Sequence, residues 1–175
     1  MFSPTHSSIR GLFKDESPNW ITIQPAMRGE WGACLQTLEG HSRSVNSVTF
    51  SRDSAILSSA SNDNTIKIWD AGSGACIRTL EGHSNPVSSV AFSLAKLASA
   101  SHDSTVKIWD VVSGTCLRTL KGHSSLVSSV DFSSNALKLA SASYDSTVRI
   151  WDVSSGECLR VLKGHRSSVN LVTFS

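Results

Sequence analysis

The chain has 175 residues and a formal net charge of +2, and 39% of its residues are hydrophobic. This length fits one domain or part of a larger one, with enough apolar residues for a folded core. No apolar run approaches the roughly 20 residues of a membrane-spanning helix, and the first residues lack the apolar region of a secretory signal. We therefore expect a cytoplasmic protein without membrane insertion. Because Lys and Arg are scattered among Asp and Glu instead of forming a basic stripe, nucleic acid is not an expected partner.

Residues 1–33 form an N-terminal segment whose pattern differs from the rest of the chain. Ile9, Leu12 and Phe13 have the spacing of one apolar face of a short helix. Pro18 prevents this helix from continuing, and an extended run follows it. We interpret the segment as a surface linker, with the end of an upstream domain as the alternative.

From Cys34 onward the sequence repeats itself. CLQTLEGHSRSVNSVTFS returns in similar form three times, and SSASNDNTIKIWD returns twice. Repeats of this length are small structural units that bury their apolar faces only by stacking on one another. The predicted array spans residues 34–175, and its repeats are about 34–75, 76–115, 116–157 and a partial one at 158–175.

Each repeat is predicted to form four short β-strands. In the third repeat these are CLRTL, SVSSVDF, LKLASAS and STVRIWD, which turn residues separate. Gly74, Gly114 and Gly156 follow the fourth strand, where we expect a positive φ. We predict an all-β array of three complete four-stranded units, with an orphan outer strand at 34–38 and an orphan inner strand that ends at Ser175.

The second repeat is shorter than its neighbours at one turn. It lacks two residues between Phe92 and Leu97, so its inner hairpin must turn near Ser93, Leu94 and Ala95. Two-residue hairpin loops favour Gly or Asn because they need a positive φ, and neither residue is present. We expect backbone strain or a shortened strand at this turn.

The four cysteines, Cys34, Cys76, Cys116 and Cys158, occupy equivalent positions of successive repeats. Equivalent positions of neighbouring units are expected to lie beyond the reach of a disulfide bond, so we expect reduced side chains. The sequence contains no CxxC pair for zinc, no phosphate-binding loop and no motif of a metallopeptidase or serine hydrolase. We therefore expect neither a metal nor a cofactor.

A four-stranded repeat with Gly-His near its start and Trp-Asp near its end resembles the WD40-repeat β-propeller family. The resemblance covers residues 34–175 and implies a partial propeller in which one side-chain network holds each blade together. The network joins the His of Gly-His, a Ser on the second strand, the Asp before the third strand and the Trp of Trp-Asp. Its members are His41, Ser59, Asp63 and Trp69 in the first blade, His83, Ser99, Asp103 and Trp109 in the second, and His123, Ser141, Asp145 and Trp151 in the third.

Two interpretations of these polar residues are open. The indole only donates, the carboxylate only accepts, and the hydroxyl and imidazole do both, so the four groups can satisfy one another. Ser, His and Asp are also the components of a catalytic triad, and a hydrolase that uses Ser99, His83 and Asp103 is the alternative. Because a catalytic site is normally built once and this set occurs three times, we predict a structural role and a non-enzymatic protein.

The positions that differ between repeats cluster after Gly-His, along the inner strand and in the turn before the third strand. In the propeller family these loops lie on one rim, which favours a surface for a protein partner. Neutral variation of solvent-facing loops is the alternative. Tyr144, the lone tyrosine, is the preferred anchor because aromatic side chains contribute much of the energy of interfaces. The candidate rim residues are Arg43, Asn46, Asn62, Asn85, Pro86, His102, Leu126, Asp131, Tyr144, Arg166 and Asn170.

The junction before the array carries a more specific resemblance. SSIRGLFKDESPNWITIQP, a short spacer and then WGACLQTLEGH are similar to the junction of fungal NACHT–WD40 proteins, which are NLR-like receptors linked to vegetative incompatibility. The resemblance implies an interaction scaffold or ligand-sensing module of such a receptor. The NACHT module is not in this sequence, so its nucleotide chemistry is not transferred. A generic WD40 adaptor, for example in a mitochondrial-fission or ubiquitin-ligase complex, is the alternative.

Three blades do not close the family's usual ring of about seven blades. The two end blades are therefore expected to expose apolar faces, which favour self-association. We interpret the chain as a fragment, a truncated gene product or one part of an oligomeric ring. Its last residues stop inside a blade, which favours truncation.

Overall fold

The computed structural model describes residue 34 and residues 36–175. The helix predicted before Pro18 and the extended run predicted after it lie outside these residues. Residues 38–175 form one compact unit. No helix of the described residues is long and apolar enough to cross a membrane. The described strands are β1 (Val45–Phe50), β2 (Ile56–Ser61), β3 (Ile66–Asp70), β4 (Cys76–Leu80), β5 (Val87–Ser93), β6 (Lys96–Ser101), β7 (Thr105–Asp110), β8 (Cys116–Lys121), β9 (Val127–Phe132), β10 (Lys138–Ser143), β11 (Val148–Asp152) and β12 (Cys158–Leu162).

The strands form three four-stranded sheets with the same topology. β1 to β4 make the first sheet, β5 to β8 the second and β9 to β12 the third, and every pairing is antiparallel. The fourth strand of each sheet comes from the next sequence repeat, because β4 begins at Cys76 and β8 at Cys116. The predicted all-β fold with three complete four-stranded units is confirmed.

Side chains of the first strands connect each sheet to the next repeat of the chain. In each case the second residue of the first strand has a polar side chain. This side chain donates to the backbone carbonyl of a valine in the next repeat, at the position equivalent to the first residue of the strand. These bonds are Asn46 to Val87 (2.8 Å), Ser88 to Val127 (2.5 Å) and Ser128 to Val169 (2.6 Å). β1, β5 and β9 therefore lie side by side along one edge of the array, each as the first strand of its sheet.

The hydrophobic core lies between successive sheets. Ile66 and Leu80 of the first sheet pack with Val90, Leu97 and Trp109 of the second, and all five side chains are buried. A similar cluster joins the second sheet to the third. Because each sheet buries its apolar face against a neighbour, its stability depends on that neighbour.

The first sheet has no described sheet before it. Val45, Val48 and Phe50 of β1 are accordingly exposed, with 60% of Val48 accessible to solvent. Such an apolar face favours association, so self-association through the end sheets stays a prediction.

The segments at the two ends of the array differ from the prediction. Neither 36–38 nor 168–175 forms a strand, because neither has a strand beside it with which to build a ladder. The second segment still contacts the third sheet, since the backbone N–H of Val169 donates to the carbonyl of Ser143 at 3.0 Å.

The hairpin between β5 and β6 turns within two residues. Ser93 pairs with Lys96, so only Leu94 and Ala95 form the loop. Leu94 has a φ of 53°, which is unfavourable for a residue with a Cβ atom. The expected backbone strain is present, but β5 has seven residues and is not shortened.

An arginine on each of the outer strands β4 and β8 holds a loop of the following sheet. Arg78 on β4 donates to the carbonyl of Val112 at 2.9 Å, and Arg118 on β8 does the same to Ser154 at 3.1 Å. Gly114 has the expected positive φ, 76°. A Cβ atom on Gly114 would overlap the Arg78 side chain, so this glycine is required by both its conformation and its surroundings.

We predict that Gly114→Ala lowers the free energy of unfolding by about 1–3 kcal/mol, because it forces a positive φ on alanine and displaces Arg78. Urea unfolding followed by tryptophan fluorescence measures the change. Gly72→Ala is the matched control, since Gly72 lacks a left-handed φ and its nearest neighbour leaves room for a methyl group. Equal unfolding midpoints for the two variants would contradict this explanation.

Candidate functional site

Each sheet contains one chain of hydrogen bonds that runs from a tryptophan to an aspartate. In the second sheet the Trp109 indole donates to Ser99 Oγ at 2.8 Å, and Ser99 Oγ lies 2.8 Å from His83 Nε2. His83 Nδ1 lies 2.7 Å from Asp103 Oδ2. Because the indole only donates and the carboxylate only accepts, a neutral His83 ring carries its proton on Nδ1 and accepts from Ser99 at Nε2. The first and third sheets contain the same chain with distances of 2.7 to 2.8 Å.

Strand register and two loops bring these four side chains together. Trp109 lies on β7 opposite Leu97 of β6, and Ser99 is two residues further along β6 on the same face. His83 lies in the loop between β4 and β5, and Asp103 lies in the turn between β6 and β7. The chain of hydrogen bonds therefore ties two loops to the middle of the sheet.

The aspartate also orders the backbone around it. Asp103 Oδ1 accepts from the N–H of Thr105 at 2.9 Å and from its hydroxyl at 2.6 Å, while Oδ2 also accepts from the N–H of Ser84 at 3.2 Å. Burial alone would raise the pKa of Asp103, but the hydrogen bonds from His83 and Thr105 outweigh it and hold the pKa well below the ordinary 3.8. The carboxyl group is therefore ionised at neutral pH, as an acceptor-only role requires.

Burial governs the imidazole in the third sheet. It lowers the pKa of His123 below the ordinary 6.5, against the opposing influence of Asp145. The histidine is thus neutral at pH 7, which leaves Nε2 free to accept from Ser141.

The serine of the network is inaccessible. Ser99 and Ser141 have 0% exposure and Ser59 has 4%, and each hydroxyl oxygen already accepts a hydrogen bond from an indole N–H. A nucleophilic serine must reach the carbonyl of a substrate, which this burial prevents. The geometry of Ser99, His83 and Asp103 therefore supports a structural role and gives the hydrolase hypothesis no support.

Two of the candidate rim residues bond to each other. Asn46 donates from Nδ2 to Asn62 Oδ1 at 2.7 Å, in addition to its bond to Val87, and Asn62 donates to Ser44 Oγ at 2.7 Å. Their amide groups hold the loops of the first sheet and join it to the second, so they are less available to a partner than the sequence indicates.

Asp131 lies away from the rim. It is near the end of β9 that is remote from the Gly-His loop, and its Oδ2 accepts from the N–H of Phe174 at 2.7 Å and from the hydroxyl of Thr173 at 3.1 Å. Asp131 therefore fastens the last segment of the chain to the third sheet. The equivalent positions hold Thr49 and Ala91, and this difference is the only sequence signal that indicates its special role.

Asn62, His102 and Tyr144 occupy equivalent places at one end of the three sheets. Their backbone N–H groups donate to carbonyls of the loops that follow Gly-His, at 2.9, 2.9 and 3.1 Å. The side chains of His102 and Tyr144 are exposed and make no hydrogen bond to any described residue. Among the other candidates, Arg43, Asn85, Arg166 and Asn170 are exposed, and Pro86 and Leu126 are half-buried.

The family model described as "WD domain, G-beta repeat" matches residues 32–70, 74–110 and 114–152. The chain belongs to the WD40-repeat family. Solved structures of U3-55K and of the RRP9 WD40 repeats each have a TM-score of 0.78 and 29% identity over 81% of this chain. The WD40 array spans 46% and 45% of those two chains.

Curated relatives match over shorter stretches. The vegetative incompatibility protein HET-E-1 of Podospora anserina is 52% identical over 73 residues, which are 42% of this chain and 5% of that protein. Coatomer subunit beta'-2 of Arabidopsis thaliana is 55% identical over 42 residues, 23% of this chain and 4% of that protein. The predicted WD40 family and the similarity to a fungal incompatibility protein are both confirmed, although the chain spans only a small part of these relatives.

We predict that Ser99→Ala lowers the free energy of unfolding by about 1–3 kcal/mol, because the buried Trp109 indole and His83 Nε2 both lose their partner. Ser84→Ala is the matched control, since the Ser84 side chain is exposed and makes no hydrogen bond to the described residues. Urea unfolding compares the two variants. An unchanged stability of Ser99→Ala, together with the loss of an ester-hydrolysing activity, would overturn the structural role.

Proposed function

We propose that this chain is a non-enzymatic interaction module that captures a protein partner on the rim formed by the turns before β3, β7 and β11 and by the adjoining Gly-His loops. One observation carries the proposal. The three sheets repeat the same buried network, while the residue beside the network aspartate is half-buried Asn62 in the first sheet and exposed His102 or Tyr144 in the other two. The network itself is the same whichever of these residues stands beside it.

The chemistry of the rim supports a protein partner. Tyr144 is 48% exposed, and its ring combines apolar area with a hydroxyl group that has no described partner. Pro86 and Leu126 add half-buried apolar surface, and His102 adds a second ring with two nitrogen atoms. Interfaces are commonly centred on such aromatic side chains with polar groups around them.

We propose a fungal NLR-like receptor as the setting of this module. The similarity to HET-E-1 and the junction sequence before the array support this setting. We also propose a cytoplasmic location, which the four free cysteines, Cys34, Cys76, Cys116 and Cys158, support. A generic adaptor in a multiprotein complex is the second candidate, which the similarity to a coatomer subunit supports.

The rim is tested with the double variant His102→Asn and Tyr144→Asn. Both substitutions introduce the residue that the first sheet already has at this position, so folding should be retained. The wild-type chain is immobilised and exposed to an extract of its own cells. We predict that the double variant retains about tenfold less of each protein that the wild-type chain captures, which corresponds to ~1.4 kcal/mol of binding free energy. Quantitative mass spectrometry measures the retained proteins.

Val112→Ser is the matched control for this experiment. Val112 is 76% exposed in the loop after β7, and serine is the residue at the equivalent position of the third sheet, Ser154. This variant should retain the same proteins as the wild-type chain. Equal retention by the rim variant and the control would contradict the proposal.

A further inference from the structure

A second surface lies at the other end of the first strands. β1, β5 and β9 run from the rim to the turns that lead into β2, β6 and β10. The turns at 51–55 and 133–137 each span five residues, whereas the turn between them contains only Leu94 and Ala95. The short turn is therefore recessed between two longer ones.

This difference in length leaves a groove of about 450 Å³. Phe50 and Phe92 contribute apolar surface to it, and Leu94, Arg52 and Asn135 also line it. A second cavity of about 350 Å³ shares Leu94 and Phe132 with the first and extends towards Leu137. Volumes of this size accommodate small ligands or the side chains of a bound peptide.

Leu94 is both strained and exposed. Its φ is 53°, and 75% of its surface is accessible to solvent. The residues with a positive φ in the two longer turns are Ser54 and Ala136, which have small side chains. A large apolar residue with an unfavourable backbone conformation adds nothing to the core here, and such strain often accompanies a binding function.

Arg52 gives the groove a free positive charge. Its side chain is exposed and lines the groove. Among the described residues, the only contacts between a basic group and a carboxylate are the three His–Asp pairs of the sheets. The guanidinium is thus available to a carboxylate of a ligand, which it can bind through two parallel hydrogen bonds.

We propose that this groove binds an extended peptide segment of a partner protein in which leucine or phenylalanine stands next to an acidic residue. The apolar side chain packs against Leu94 and Phe92, and the carboxylate pairs with Arg52. The groove is separate from the rim, so the chain has two binding surfaces at opposite ends of its first strands.

The probe is a fluorescein-labelled peptide of sequence SDLFDS, compared by fluorescence anisotropy with SKLFKS and SDAADS. We predict that the wild-type chain binds SDLFDS at least about tenfold more tightly than either comparison peptide. Arg52→Ser introduces the residue of the third sheet, Ser134, and should weaken the binding of SDLFDS about fivefold, with no loss for SKLFKS.

A turn graft tests the groove itself. Replacing Leu94 and Ala95 by Ser-Asn-Ala-Leu, the residues at 134–137, restores the length of the neighbouring turns and fills the recess. We predict that this variant keeps the melting temperature of the wild-type chain and loses at least about tenfold in affinity for SDLFDS. The rim variant with His102→Asn and Tyr144→Asn should keep the full affinity, which separates this proposal from the one for the rim.

Three results would overturn the proposal. The first is the absence of SDLFDS binding below roughly 1 mM, and the second is equal binding to the wild-type chain and the turn graft. The third comes from sedimentation of the two proteins. If the wild-type chain self-associates while the turn graft is monomeric, the groove binds a second copy of the chain instead of a peptide.

Discussion

The hydrogen-bonded chain from tryptophan through serine and histidine to aspartate is the interaction on which the rest of the array depends. With a neutral imidazole its two ends fix its direction, since the indole of Trp109 can only donate and the carboxylate of Asp103 can only accept. Because Ser99 lies in the middle of a sheet and His83 and Asp103 lie in loops, the chain sets the positions of both loops relative to the strands. The same arrangement recurs in all three sheets.

The sheets depend on one another through different contacts. Their apolar faces form two clusters between neighbouring sheets, and the Arg78 and Arg118 side chains reach from an outer strand to a loop of the next sheet. Polar residues of the first strands make a third connection. With the blades held in this way, the turns at the two ends of the first strands are free to differ, and the proposed rim and groove lie among these turns.

The sequence predicts the strands and the network because both are repeated three times. A residue that recurs with its chemical partners, such as Ser99 with Trp109, can be assigned from its donor and acceptor capacity. Asp131 shows the limit of that reasoning, since it occurs once and its partner, Phe174, is 43 residues away. Its role depends on the packing of the third sheet against the last segment. The sequence of one repeat does not predict that packing.

For the rim and the groove too, some features follow from the sequence and others only from the packing of the sheets. Exposure of His102 and Tyr144 follows from their place in a turn, but the mutual bonds of Asn46 and Asn62 depend on the distance between two loops. The missing residues of the second repeat predict the strain at Leu94, whereas the groove arises because that short turn lies between two longer ones. The strands predicted at the two ends are absent from the described residues, because a strand forms only beside a partner and the pattern of a single segment does not show whether it has one.

The protonation of the network histidines tests the central interaction most directly. Nitrogen-15 NMR of the labelled protein at pH 7 distinguishes the two neutral forms of each imidazole. The network requires His41, His83 and His123 to carry their proton on Nδ1, with Nε2 accepting from serine. A proton on Nε2 of these histidines, or two protons on each ring, would contradict the direction of the chain and the structural role derived from it.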